Sequence, residues 1–188
     1  MTRARLRTLA AGLALVATLT GCGDLTSNPY EKTGAEDTAA AAQRLTELPT
    51  LEATEAHAHR VVEELSAYIT SLVPALQWEW TRSRSESNCR RPYDQTDGRM
   101  VSLPNYVAKG SIPDHVWPQA VQRARELATE LGNTGVETFR DEPGNRDVRF
   151  YGPEGTALRF LSMDNTVIRA DTGCRLPEAV ADTPPPTP

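Results

Sequence analysis

The 188-residue chain has no apolar run long enough to cross a bilayer: the stretch from Leu9 to Leu19 holds eleven residues, against the about 20 that a spanning helix needs. Cys-x-x-Cys is absent, and no histidine lies at ligand spacing from Cys89 or Cys174, which argues against a thiol redox motif or a cysteine–histidine metal site. Neither Gly-x-Ser-x-Gly nor Ser-x-x-Lys occurs, so no serine-nucleophile signature is present. Positive charge is also short. Lys and Arg number 20 against 25 Asp and Glu, and the net charge of −5 becomes −8 once Arg3, Arg5 and Arg7 of the N-terminal segment are removed. Such a surface repels phosphate backbones, and no nucleic-acid partner is expected. The length suits one compact domain with tails.

What is there begins with an address. Arg3, Arg5 and Arg7 precede the apolar run, and the run ends at Leu19-Thr20-Gly21-Cys22. This is the layout of a signal peptide, with small residues before a cysteine at the cut. The arrangement resembles a bacterial lipobox, in which the Cys22 thiol takes a diacylglyceryl group. The arginines are not adjacent, which favours the general secretory route over the twin-arginine one. Acyl chains worth about 0.8 kcal/mol per buried methylene then hold the protein at the membrane without a spanning helix. The expected division is a signal peptide at 1–21, a lipidated cysteine and flexible tether at 22–37, a single domain at 38–177 and a Pro-rich disordered tail at 178–188. The expected location is the cell membrane, lipid-anchored on its extracytoplasmic face.

With Cys22 assigned to lipid, Cys89 and Cys174 remain. An even pair in an exported domain reads as one disulfide. It would close a loop of 85 residues.

Periodicity supplies the elements. An alanine-rich stretch from Thr38 to Leu48 predicts a short helix stopped by Pro49. Thr50 then precedes Ala58, Val61, Val62, Leu65, Ile69 and Leu72, spaced three and four apart as on one face of a helix that Pro74 ends. Leu76, Trp78 and Trp80 alternate with polar residues and predict a strand. Residues 82–97 read as a polar loop carrying Cys89, and 100–108 as a second strand that Pro104 makes an edge strand or a broken one. Trp117, Ala120, Val121, Ala124, Ala128 and Leu131 form the stripe of another helix, capped by Asp114 or Trp117, with Pro118 in its first turn. Four extended runs follow, near 135–140, 146–152, 156–162 and 166–171, joined by Pro-Gly-Asn, Gly-Pro-Glu-Gly and Asp-Asn turns. The predicted fold class is α+β, an antiparallel sheet with a β-meander in its C-terminal half, covered on one face by two amphipathic helices and carrying one disulfide.

Several segments together are similar to the mycobacterial and actinobacterial lipoproteins of the LppA type: the lipobox, Asn28-Pro29-Tyr30, Cys89, Leu103-Pro104-Asn105-Tyr106, Gly110-Ser111-Ile112-Pro113-Asp114, Trp117-Pro118-Gln119-Ala120 and Thr172-Gly173-Cys174-Arg175-Leu176-Pro177. The likeness covers nearly all of the mature chain. It implies a cell-envelope lipoprotein without an established enzymatic activity, so it supplies no catalytic residues. Lysine occurs only at positions 32 and 109, a usage that fits an actinobacterial source.

Each candidate for chemistry has a plainer reading beside it. His57 and His59 are two apart and face different sides of a helix, so no metal is expected there. Asp141 and Glu142 sit in a turn that acidic side chains keep solvated. Arg82, Arg84, Arg90 and Arg91 cluster beside Cys89 and form a candidate patch for anionic lipid headgroups or an acidic polymer, with a solvated loop as the commoner meaning. Trp78, Trp80 and Trp117 most often mean core; if they line a gap between sheet and helix they make a wall for an apolar ligand, completed by Phe150, Leu158 and Phe160. The sequence therefore points to a membrane-anchored structural or interaction domain with no cofactor and no catalysis, whose partner is an envelope protein or a lipid. The alternatives are a lipid- or small-ligand-binding module and, less favoured, an envelope hydrolase.

Overall fold

The computed structural model describes residues 31–181; the signal segment, Cys22 and the last seven residues lie outside the described residues. Helix α1 (Ala35–Thr46) carries Glu36 and Asp37 in its first turn and Arg44 in its last, each sign placed where the helix dipole favours it. It begins three residues before the expected start, so part of the expected tether is helix. Thr50 caps α2 (Leu51–Leu72), its hydroxyl accepting from the Ala53 amide at 3.3 Å. The buried stripe of α2 is Leu51, Ala58, Val61, Val62, Leu65 and Ile69, as the spacing requires, and the helix stops two residues before Pro74. Helix α3 (Trp117–Glu130) has Pro118 in its first turn and buries Trp117, Ala120, Ala124, Leu127 and Ala128. Asp114 does not cap it; its carboxylate accepts from the Gly144 amide and pairs with Arg146 instead.

Eight strands form the sheet: β1 (Trp78–Thr81), β2 (Ser85–Asn88), β3 (Arg99–Ser102), β4 (Asn105–Lys109), β5 (Gly135–Glu142), β6 (Asn145–Tyr151), β7 (Thr156–Ser162) and β8 (Asn165–Thr172). The main path runs β1-β4-β8-β7-β6-β5, every pair antiparallel, so the C-terminal meander takes the expected form and β8 receives the N-terminal strands on its free side. Pro104 divides the run predicted at 100–108 into β3 and β4. Both halves still follow β8, through Ser102 opposite Asp171 and Tyr106 opposite Ile168, and the Leu103 amide donates to Ala170 O across the break. Strand β2 is a correction to the predicted loop at 82–97. Ser-Glu-Ser-Asn has no apolar alternation and is wholly exposed; it becomes a strand by pairing with β3, where Glu86 accepts from Arg99 at 3.0 Å.

Helices α2 and α3 pack on one face. In β8 the even-numbered residues are buried and the odd-numbered ones from Val167 to Asp171 are half-buried, the period of two that a one-sided sheet demands. The register stacks Val148, Phe160 and Ile168 in one row and Phe150, Leu158 and Ala170 in the next, all within the core beneath the helices.

A second, smaller core lies at one end of the sheet. Ala41 and Leu45 of α1 meet Tyr93 and the Cys89–Cys174 disulfide, with Leu48, Met100 and Leu176 around them. Gly98 is required there, since a Cβ would stand 2.5 Å from Cys174 Sγ and 2.8 Å from Leu45. Past Pro177 the chain adds one exposed helical turn, α4 (Glu178–Ala181), whose Glu178 amide donates to Glu52 of α2. Residues 178–181 of the expected disordered tail are therefore ordered by the chemistry of a helix start: a free amide finds a carboxylate.

Reduction of the disulfide should lower the melting temperature by roughly 10 °C, because opening an 85-residue loop restores about 4 kcal/mol of chain entropy to the unfolded state; an unchanged melting curve in dithiothreitol would remove the bridge as a stabiliser. Phe160 is fully buried and stacks on Trp117, so Phe160→Ala should cost about 3 to 5 kcal/mol in urea unfolding.

Candidate functional site

The three tryptophans do not form one wall. Trp117 is buried at the start of α3 with its ring stacked on Phe160, 4.8 Å between centroids, inside the core. Trp78 and Trp80, two apart on β1, do share a face, but at the sheet edge: both stack on Tyr106 of β4, at 5.4 and 4.3 Å. The Trp78 indole donates to Thr70 on α2 at 3.0 Å, and the His59 ring meets Trp80 edge-on. Each indole already has a protein ring against it, which corrects the expected ligand wall. Phe150 and Leu158 go to the core rows under the helices.

The four-arginine patch divides as well. Arg84 turns toward the helical face and holds Glu55 of α2 through two bonds of 2.7 and 3.0 Å, with Glu86 at 3.3 Å; the Glu55 hydrogen bond pushes its guanidinium still further into the charged range. Its charge is neutralised. Arg82 occupies the exposed turn between β1 and β2 in a left-handed conformation, φ 65°. Arg90 and Arg91 follow Cys89 and line a cleft of about 330 Å³ on the other side of the sheet. Strand β2 intervenes between the two pairs, and that separation is invisible to a reading that expects a loop.

In place of the patch the structure assembles a different set of arginines. Arg149 of β6, Arg159 of β7 and Arg169 of β8 stand directly opposite one another in register, on the face that α2 and α3 leave uncovered. Like charges so placed repel, and acids relieve the row at its centre, through Asp147, and at its β5 end, where Glu137 stands opposite Arg149. Arg159 donates to both oxygens of the buried Asp147 carboxylate, at 2.9 and 2.6 Å, and stacks over Phe139 at 4.6 Å. The hydrogen bond to Asp147 raises its affinity for the proton. Arg149 lies over Tyr151 at 5.7 Å and also lines the cleft with Arg90 and Arg91. Arg169 keeps a buried Nε without a hydrogen-bond partner. Among the described residues none of Arg90, Arg91, Arg149 and Arg169 forms an ion pair.

Two carboxylates also reach the cleft, and both are engaged. Glu154 binds Arg44 of α1 at 2.6 Å, and Asp171 accepts from the Ser102 hydroxyl. Behind the bridge Arg175 is buried: its Nη atoms donate to Cys174 O and Thr156 Oγ1 at 2.7 and 2.9 Å, its Nε has no partner, and burial pushes its pKa down. The cleft therefore offers guanidinium groups that hold and orient oxyanions and exchange no protons at neutral pH.

The other candidates are placed plainly. His57 lies 4.0 Å from Glu130, and His59 is against Trp80. Asp141 pairs with Arg146 across the β5–β6 hairpin. Among the described residues no cluster of three or more His, Cys, Asp and Glu is arranged to hold a metal ion. A sequence signal for the arginine row does exist: positions 149, 159 and 169 are evenly spaced by ten, each inside a predicted strand of the meander. Only the strand pairing shows that they meet.

A family profile described as LppA, a lipoprotein confined to pathogenic Mycobacterium, matches residues 26–178. No curated protein sequence matches the chain. Among solved structures it is similar to LppA from Mycobacterium tuberculosis, with a TM-score of 0.53 and 18% identity over 78% of this chain and 82% of that one, a likeness of fold. A DUF4853 family protein from Actinomyces odontolyticus has a TM-score of 0.44 at 16% identity, over 75% and 79% of the two chains.

Replacing Asp147 with Ala leaves Arg159 uncompensated between two like charges. A loss of about 2 kcal/mol is expected, less than for a fully buried pair because Arg159 reaches solvent. Added salt should narrow the gap to the unsubstituted protein, and Asp147→Ala combined with Arg159→Met should recover much of it. A gap that widens with salt would mean that repulsion along the row is not its cause.

Proposed function

Because the chain belongs to the LppA lipoprotein family, we propose that it is a lipid-anchored binding domain displayed on the outer side of the cytoplasmic membrane, presenting the open face of its sheet to a partner. The observation that carries this reading is the uncovered face itself. It carries Arg149, Arg159 and Arg169 in register, with a cleft at its end where Arg90 and Arg91 form no ion pair among the described residues.

Attachment through Cys22 is supported by the Leu-Thr-Gly-Cys end of the signal segment and by the family's description as lipoproteins. A disulfide in so small a domain suits the exported compartment. No helix of the described residues is long and apolar enough to cross a membrane. The apolar-ligand alternative has less support, since the rings proposed for its wall pack on Phe160 and Tyr106.

Mass spectrometry of protein extracted from an actinobacterial membrane should find a mature N-terminus at Cys22, heavier by a diacylglyceryl group. The native protein should resist a high-salt wash and leave the membrane only in detergent. A Cys22→Ser chain exported behind an ordinary secretory signal should be removed by salt alone. An unmodified Cys22, or a Cys22→Ser chain that also needs detergent, would overturn the anchor.

A further inference from the structure

We infer that the cleft between the Cys89–Cys174 bridge and the open face of the sheet holds the phosphate of an anionic phospholipid headgroup, laying the domain on the membrane that Cys22 anchors it to. The choice of a lipid phosphate over a free one rests on the anchor reading above; the anion chemistry does not.

The cations come from two parts of the fold that meet only in the tertiary structure. Arg90 and Arg91 come from the turn after Cys89, and Arg149 comes from β6. The bridge to Cys174 and the buried Tyr93 fix that turn against the sheet. Of the two carboxylates on the cleft wall, Glu154 is paired with Arg44, while Asp171 accepts from the neutral Ser102 hydroxyl and keeps its charge, so the three guanidiniums outnumber the one acid without a cationic partner. A cleft of about 330 Å³ with this lining accepts a group the size of a glycerophosphate, and guanidinium forks match phosphate oxygens.

The position of the cleft selects the source of the phosphate. Thr33, where the chain enters the domain, bonds through its amide and hydroxyl to Asp94, three residues past Arg91. From there α1 runs to Arg44, which grips Glu154 on the cleft wall. The entry point and the cleft therefore share one end of the domain. Ten residues lie between Cys22 and Thr33, a length of chain that reaches at most about 40 Å. The whole chain is acidic, −5 by composition, and an anionic bilayer repels it except where arginines predominate. The field therefore turns the cleft, where Arg90, Arg91 and Arg149 gather, toward the lipid.

The test uses the mature chain, residues 22–188, carrying Cys22→Ser so that no acyl group contributes. It is co-sedimented with vesicles of phosphatidylcholine, alone or mixed with phosphatidylglycerol. Binding is expected only to the mixed vesicles and should weaken with salt. Arg91→Gln with Arg149→Gln should weaken it roughly thirtyfold. Arg91→Lys with Arg149→Lys should keep most of it, which separates lost charge from a damaged fold. Arg84→Gln, whose guanidinium faces Glu55, should leave it unchanged. Equal binding to both vesicle types, no binding, or an equal loss in Arg84→Gln would overturn the proposal. Saturation by glycerol 3-phosphate as tight as by the bilayer would overturn the lipid and leave a soluble anion as the ligand. The mass of Cys22 is read separately, so a failed anchor and a failed headgroup site give different results.

Discussion

Val148, Phe160 and Ile168 face one another across three adjacent strands and are pressed beneath α2 and α3, and the same register places Arg149, Arg159 and Arg169 opposite one another on the far side. The two rows are one constraint. Because side chains alternate at every residue, a strand that puts an apolar residue into the core at one position must put its neighbour outside, and a slip of one residue would drive the arginines under the helices. Burying each apolar side chain of the inner rows is worth about 1.5 to 3 kcal/mol. The repulsion among three partly solvated arginines is smaller, and Asp147 reduces it further. Core burial thus holds in place an arrangement of charge that would not form by itself.

The disulfide end of the molecule depends on a second, local constraint. Cys89 belongs to a turn with little apolar content, and Cys174 follows the last strand of the meander. Alone, that turn would have few contacts to order it. The bridge brings it to the sheet, Leu45 of α1 covers the sulfur atoms, and Gly98 permits the approach. What results is a small core whose outward side carries Arg90 and Arg91. The asymmetry between the two arginine pairs of the predicted patch has the same origin: Arg84 precedes β2 and turns to α2, whereas Arg90 and Arg91 follow it and turn to the bridge.

An acidic protein with a locally basic cleft has a defined way of meeting charged surfaces. Long-range repulsion weakens within about 8 to 10 Å at physiological ionic strength, so near contact it is the local arginines that decide orientation. The open sheet face, the cleft and the chain entry at Thr33 lie within that one local system, joined through Asp94, Arg44 and Glu154. Asp94 itself is held below the usual carboxylate range chiefly by the Thr33 hydroxyl, so the clasp at the entry persists at neutral pH and is lost only as acid titrates that carboxylate.

Much of this was legible along the chain. The helical stripe from Ala58 to Ile69, the four runs of the meander, their turns and the pairing of the two cysteines all depend on local period, local turn chemistry or simple parity, and each reappears in the structure. Strand β2 was not legible, because Ser-Glu-Ser-Asn becomes a strand only by having β3 beside it. Nor was the division of the arginine patch, nor the removal of Trp117 from the company of Trp78 and Trp80, since neighbours in sequence or in type are not neighbours in space. The arginines at 149, 159 and 169 show the limit most directly: their even spacing is written in the sequence, but hydrogen-bonded register alone turns spacing into a row of charge. Sequence by itself determined which of the amphipathic segments are helix and which are strand, and which face of each is apolar, because those follow from covalent geometry. Tertiary structure decided which charges meet and which go uncompensated, because electrostatic interactions act across space and take no account of the order of the chain.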